Sequence, residues 1–384
     1  MAVQSANRAD RFGIMSAVVS IESLAMKTER KPLQYPCGEP PEAGTVQEVA
    51  PGVLWLRMPL PLALDHINLW AVRDGEGWAV FDTGMNTADT LTAWNALIGR
   101  DAPLGERGPS RVFATHMHPD HVGVAGWLTR TFDCELWMTR GEYLSCRVLV
   151  ADTGRAAPEE GVRFYRRAGW DDAAIERYRS RFGGFGEHIA PLPESYRRLR
   201  DGQRLHIGAH EWQVVVGSGH SPEHACFYCP ELKVLISGDQ VLPRISSNVS
   251  VFPTEPHADP MGEWLDSLDK LKAQIPDDVL VLPAHGEPFH GLHARLDHLR
   301  GGHLRALERL HGLLVEGPGR AVDVFSVLFA ARIDAGLLSL ATGESLANLN
   351  YLVQRGRLTV SEDEQGVAWY HAQPQAVEEG TPAL

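Results

Sequence analysis

An α/β sandwich is the fold class this sequence predicts, and three observations predict it. The 384 residues combine 44% hydrophobic with 22% charged residues, the balance of a chain that packs a core. Short apolar runs of strand length alternate with stretches of helical spacing from residue 46 onward, as in layered α/β folds. Several of those runs end in His, Asp, Gly or Ser, which puts polar residues at strand ends.

In chain order, residues 46–57 alternate like a strand, and 68–72 and 78–81 are apolar runs parted by the turn Asp-Gly-Glu-Gly at 74–77. Asp-Thr-Gly at 82–84 closes the second run, a helix is expected over 86–99, and 111–115 reads as the next strand. A helix follows over 122–130. Residues 141–200 change character: helical over 171–182, a glycine hinge at 183–186, and ten arginines against eight acids from 151 to 200. That local +2 in a chain of net charge −13 reads as a helical insertion covering the site, able to hold an anionic carrier such as glutathione or coenzyme A. Strands return over 202–217 and 226–237, then helices over 262–274 and 291–315.

The end of the chain reads as a small module. Amphipathic helices are expected over 321–331 and 345–354, then a hairpin with strands 356–360 and 367–370, a winged-helix-like order. The division expected is an N-terminal extension over 1–43, partly disordered; a catalytic domain over 44–295, with 141–200 inserted; and a C-terminal module over 296–384. Translation from Met1 and from Met26 both suit the sequence.

The charge of −13 repels nucleic acid and anionic membrane as a whole. No uninterrupted apolar run reaches the ~18 residues of a membrane span. Five cysteines, an odd number without framework spacing, fit a reducing compartment, and a cytoplasmic location is expected. Cys226 and Cys229 form a lone CxxC, and in a strand residues three apart face opposite sides, so they read as structural.

The seven residues 115–121, Thr-His-Met-His-Pro-Asp-His, carry the chemistry. They follow a predicted strand. His116 and His118 are two apart and point the same way on an extended backbone, so they can chelate one ion, while Asp120 and His121 turn toward a second. Imidazole with carboxylate suits zinc, iron or manganese. Three further pieces each follow a strand-like run: Gly-Ser-Gly-His-Ser-Pro-Glu-His at 217–224, Ser-Gly-Asp at 237–239 and Pro-Ala-His-Gly at 283–286. No Ser-His-Asp, phosphate-cradling or dinucleotide signature competes.

Together and in this order, over about residues 45–290, the motifs resemble those of the metallo-β-lactamase fold superfamily. The resemblance implies an αββα sandwich with a dinuclear metal site at the strand ends. It implies that His116, His118 and His220 ligate the first ion, that Asp120, His121 and His285 ligate the second, and that Asp239 bridges them. Asp82 would orient the 115–121 loop, with Thr115 and His224 as supports. Asp120 and Asp239 are the expected catalytic carboxylates, compensating two divalent ions, zinc foremost and iron or manganese compatible. Water shared by the ions would be the nucleophile.

Within the superfamily, His118 stands where flavodiiron proteins carry glutamate, Asp239 argues against a true β-lactamase, and the full second set argues against mononuclear persulfide dioxygenases. The resemblance then implies a glyoxalase-II-like hydrolase of a small acyl substrate, a thioester or related ester, with a lactonase and a phosphodiester-cleaving endoribonuclease as alternatives. No glutathione-binding basic set is matched in the C-terminal module. From residue 300 onward, seven Arg and Lys stand against ten Asp and Glu, short of the basic footprint of a nucleic-acid module. A non-catalytic protein would show a broken ligand set, and none is broken. The C-terminal module is expected to act as a lid or in a homodimer. His66, Asn68, Arg244, Ser246 and Asn248 are the candidate substrate contacts.

Overall fold

In a computed structural model of the chain, the structure describes residues 33–61 and 64–373. Both Met1 and Met26, and most of the extension expected over 1–43, lie outside the described residues.

Among the described residues, twelve strands build two sheets. The first runs in chain order: β1 (Gln47–Ala50), β2 (Val53–Pro59), β3 (His66–Asp74), β4 (Gly77–Phe81), β5 (Pro109–Phe113), β6 (Glu135–Thr139) and β7 (Arg197–Leu199). Its pairs are antiparallel up to β4 and parallel from β4 onward. The second contains β8 (Arg204–Ile207), β9 (His210–Gly217), β10 (His224–Cys229), β11 (Val234–Gly238) and β12 (Leu280–Pro283) in the order β12-β11-β10-β9-β8. Only β11 and β12 pair in parallel there.

Strands covered on both faces read as continuous apolar runs, which is why β4, β10 and β11 are buried at every residue. Between the sheets, Phe81 and Phe113 stack at 4.8 Å, and Phe227 from the second sheet meets them edge-on at 4.8 and 5.4 Å. Cys226 and Cys229 are both buried and belong to different cores: Cys229 to the one between the sheets, Cys226 to the one outside the second sheet. That is the structural placement the strand period implies.

Helices cover the outer faces. α1 (Ala88–Leu97), α2 (Pro119–Val122), α3 (Ala125–Phe132) and α4 (Arg140–Ala151) lie on the side of the first sheet. α5 (Glu159–Arg167) and α6 (Asp172–Arg181) lie on the side of the second, with α7 (Pro260–Gln274), α8 (Leu292–Glu316), α9 (Phe325–Leu328) and α10 (Leu338–Gln354). The hairpin β13 (Leu358–Glu362) and β14 (Ala368–Ala372) closes the chain. The architecture is the αββα sandwich expected, followed by helices and a hairpin.

The segment 141–200 divides. Tyr143 and Cys146 of α4, with Phe185, Ile189 and Leu192, pack outside the first sheet, whereas Val162, Phe164, Tyr165 and Ile175 join the core that holds α7, α8 and α10. Trp170 Nε1 donates to Thr342 Oγ1 at 2.9 Å, and Arg167 pairs with Glu362. The C-terminal elements therefore share a core with the sandwich, and position 295–296 falls within α8.

Three local expectations are corrected. The alternation over 46–57 belongs to two strands, because the chain turns at Gly52, whose φ of +72° suits glycine. The helix expected over 122–130 is two pieces, α2 and α3. The helix expected over 321–331 is a single turn: Asp323 captures both the backbone N–H and the guanidinium of Arg320, while Gly319 pairs with Tyr370. Those contacts draw the segment onto the hairpin instead of into a helix.

Candidate metal centre

β4 and β5 run side by side, so the residues that follow them meet at one edge of the first sheet. Asp82 leaves β4 with a φ of +60°, a left-handed conformation that is costly outside glycine and concentrated at functional sites. The turn aims its carboxylate under the next loop. Oδ1 accepts from Thr115 N at 2.7 Å; Oδ2 accepts from Thr115 Oγ1 at 2.9 Å and from His121 Nδ1 at 2.8 Å. One buried carboxylate thus fixes both ends of the 115–121 loop.

The second sheet supplies the rest from three strand ends. His220 follows β9, Asp239 follows β11 and His285 follows β12. Three groups result, each with ligand atoms within 4.8 Å of one another: His116, His118 and His220; His116, His121 and Asp239; Asp120, His121 and His285. Asp239 lies between the others, with Oδ2 3.4 Å from His220 Nε2 and Oδ1 3.5 and 3.6 Å from Nε2 of His285 and His121. All seven expected ligand residues come together.

The tautomers follow from the acceptors behind the rings. His220 Nδ1 faces the carbonyl of Asn248 at 2.8 Å, His285 Nδ1 faces the carbonyl of His66 at 2.9 Å, and His121 Nδ1 faces Asp82. Carbonyls and carboxylates only accept, so Nδ1 carries the proton and Nε2 turns a lone pair inward. Thr115 Oγ1 gives its hydrogen to Asp82 and accepts from His116 Nδ1 at 3.1 Å, with the same result. His116 Nε2 lies 2.8 Å from His118 Nδ1 and 3.3 Å from His220 Nε2. His121 Nε2 and Asp239 Oδ1 are buried and have no hydrogen-bond partner among the described residues. Lone pairs and carboxylates converging on one buried space repel unless a cation lies among them, so this donor set fits divalent metal.

Charge is distributed unevenly. Burial, then the neighbouring imidazoles, holds His116 well below the usual histidine range. Burial with His220 holds His118 down to about 3, so these imidazoles are neutral. Burial also disfavours a charge on His121 and His285, but nearby carboxylates outweigh it and raise both. Asp120 and Asp239 are correspondingly lowered against their burial, chiefly by His121.

His224 stacks on His116 at 4.9 Å, and its Nε2 accepts from Asp239 N at 3.1 Å. Between them Gly238 has a φ of +50°, and a Cβ there would meet His224 Nε2 at 2.6 Å. The candidate substrate contacts prove mostly committed to protein. Asn68 is buried, accepts from Trp55 Nε1 and Arg57 Nε, and donates to the carbonyls of Pro283 and Gly286, bracing the loop of His285. Ser246 bonds His303, and Asn248 donates to Glu344 Oε2 at 2.9 Å. Arg244 is exposed and pairs with Glu287. His66 stands beside the site, 6.3 Å from the His285 ring, held by Asp65. Six of the ten arginines of 151–200 (Arg155, Arg163, Arg166, Arg167, Arg179 and Arg197) are paired with acids of the chain.

Two supporting carboxyls escape the motif reading. Glu142, fully buried on α4, accepts from Met117 N at 2.9 Å and Glu223 N at 2.8 Å, tying the two His-bearing loops together. Glu344 is buried on α10 and holds Asn248. The signal for Glu344 is its setting among Ala341, Thr342, Gly343, Ser345 and Ala347, small residues that allow close helix approach. For Glu142 the sequence shows only an acid on a helix.

No helix among the described residues is long and apolar enough to cross a membrane. A family model described as metallo-beta-lactamase superfamily matches residues 62–286, and one described as metallo-beta-lactamase-like, C-terminal domain, matches 307–373. The crystal structure of a beta-lactamase domain protein from Burkholderia ambifaria is 40% identical with a TM-score of 0.79, covering 89% of this chain and 98% of its own. The acyl-coenzyme A thioesterase MBLAC2 of Homo sapiens is 25% identical over 62% of this chain and 79% of its own length. An atrochrysone carboxyl ACP thioesterase of Emericella nidulans is 24% identical over 67% of this chain and 62% of its own.

Proposed function

Since the chain belongs to the metallo-beta-lactamase superfamily, we propose that it is a dinuclear metallohydrolase of acyl thioesters, of the glyoxalase-II-like kind. The observation that carries the reading is Asp239, whose two carboxylate oxygens face His220 on one side and His121 and His285 on the other. His116, His118 and His220 would hold one ion, Asp120, His121 and His285 the other, with Asp239 between them. Zinc is the first candidate for an imidazole-rich set with carboxylates. The thioester class is supported by relatives whose names are those of acyl-coenzyme A and acyl-carrier thioesterases.

Bound divalent ions would supply Lewis acidity toward the acyl carbonyl and an acidified water as nucleophile. The chain's part is orientation and proton handling. Asp82, Thr115 and the carbonyls of Asn248 and His66 keep the imidazoles in the ligating tautomer, as partners behind metal ligands do. Asp120 and Asp239 would balance the positive charge, and Asp120, beside His285, would accept the proton of the attacking water and release it to solvent. A thiol of pKa about 8.5 departs as thiolate without a general acid, so two carboxylates suffice.

The test is metal analysis of purified protein coupled to a hydrolysis screen over acyl thioesters, lactones and phosphodiesters. Thiol release that disappears on chelation and returns with metal is expected. Metal-loaded protein inert toward every thioester overturns the reading, and turnover confined to lactones moves it to the neighbouring class.

A further inference from the structure

α10 is the spine of the loop that leads from Asp239 toward α7. Gly343 approaches it so closely that a Cβ there would meet Ser250 at 2.9 Å, and its carbonyl accepts from Val251 N at 3.0 Å. Asn350 Nδ2 donates to the carbonyls of Pro256 and Ala258, and Gln354 Nε2 to that of His257. At the near end, Glu344 Oε2 accepts from Asn248 Nδ2 at 2.9 Å, and the Asn248 backbone carbonyl is the group facing His220 Nδ1 at 2.8 Å. Glu344 is 4% exposed. A buried carboxyl costs stability unless it is hydrogen-bonded, and the side chain that bonds it belongs to Asn248, the residue that orients His220.

We propose that Glu344 is a positioning residue for the metal centre: through Asn248 it fixes the ring of His220, so that the C-terminal helix is a working part of the site. The inference rests on the reading of His220 as a ligand. Burial pushes the Glu344 carboxyl up to about 8, so glutamine matches the form present at neutral pH and should preserve the contact. Partners behind metal ligands typically set affinity by 10–100-fold; Glu344 acts one step further back, where roughly 10-fold is expected.

The experiment is chelator competition on zinc-loaded full-length protein, with the cobalt-substituted absorption spectrum as a second readout. Glu344→Ala should release metal at about 10-fold lower chelator and alter the cobalt spectrum, while Glu344→Gln stays within about 2-fold of wild type. Should Glu344→Ala fail to fold, Glu344→Asp carries the test, with a several-fold loss expected from withdrawing the carboxyl by one methylene. A lowered Tm with unchanged chelator midpoint and cobalt spectrum overturns the inference, because it marks a purely structural role. Equal losses for the Gln and Ala variants overturn it too. Wild-type protein that takes up no divalent metal overturns the proposed function, and this inference with it.

Discussion

The centre has two unlike corners. In one, His116, His118 and His220 present imidazoles backed by Thr115 Oγ1 and the Asn248 carbonyl, and burial keeps His116 and His118 neutral. In the other, Asp120, His121 and His285 are interlaced with charge, with Asp82 behind His121. A cation among His116, His118 and His220 would meet the charge of Asp239 alone, whereas one among Asp120, His121 and His285 would meet Asp120 as well. Under the proposed function this would divide the labour, the histidine corner polarising a carbonyl and the carboxylate corner accepting a proton. Their supports differ as well. The 115–121 loop is braced locally by Asp82, whereas His220 and His285 depend on residues far away in the chain, Glu344 and Asn68.

The most severe way to break the comparison is to remove what both corners share. Asp239→Ala should lower activity about a thousand-fold, the several kcal/mol expected of metal-centred charge stabilisation, with metal content below that of wild type; elemental analysis beside kcat/KM checks it. Asp82→Asn should act on both corners, since the carboxylate holds Thr115 behind His116, and more strongly on the carboxylate corner, where it faces His121 directly. Asparagine tolerates the left-handed backbone, so the fold survives while the acceptor for His121 is weakened, and metal affinity should drop by up to about a hundred-fold. Chelator titration that finds both corners equally affected would dissolve the distinction.

Asn68→Ala sharpens it from the other side. The buried Pro283 carbonyl, the half-buried Gly286 carbonyl and the Trp55 indole lose their partner, about 2 kcal/mol of stability. Thermal unfolding should show that loss together with weakened retention at the carboxylate corner, since Asn68 braces the loop of His285. The remaining test is a pH dependence. The Glu344 carboxyl moves from 4.5 to about 8 in the folded protein. A pKa raised on folding contributes stability that is fully present below the unfolded value and is lost as pH rises through the folded one. Glu344→Gln, which does not titrate, should therefore gain on wild type by up to about 1.4 kcal/mol per pH unit between those two values. Parallel stability–pH curves would refute this.

Much of this was legible before any coordinates. The 115–121 motif, with His220, Asp239 and His285 each after an apolar run, named all seven residues that converge, because strand ends are where an α/β layer exposes polar groups. Asp82 and His224 were legible through the family resemblance. Asn68, Ser246 and Asn248 were legible as polar residues near the site, but not as supports, since a polar side chain in a loop looks the same whether it meets a substrate or a buried carbonyl. Glu142 was invisible: its acceptor atoms bond Met117 N and Glu223 N, and nothing in the chain pattern pairs those positions.

The sequence by itself determined the layers, the strand ends and the donor residues, because hydrophobic period and ligand chemistry are properties of short stretches. Only the tertiary structure decided which ring nitrogen turns inward, that most of the arginines of 151–200 are tied up in ion pairs, and that α10 reaches the site. Each of those depends on what lies opposite a side chain in space, and long-range packing sets that partner while local pattern does not.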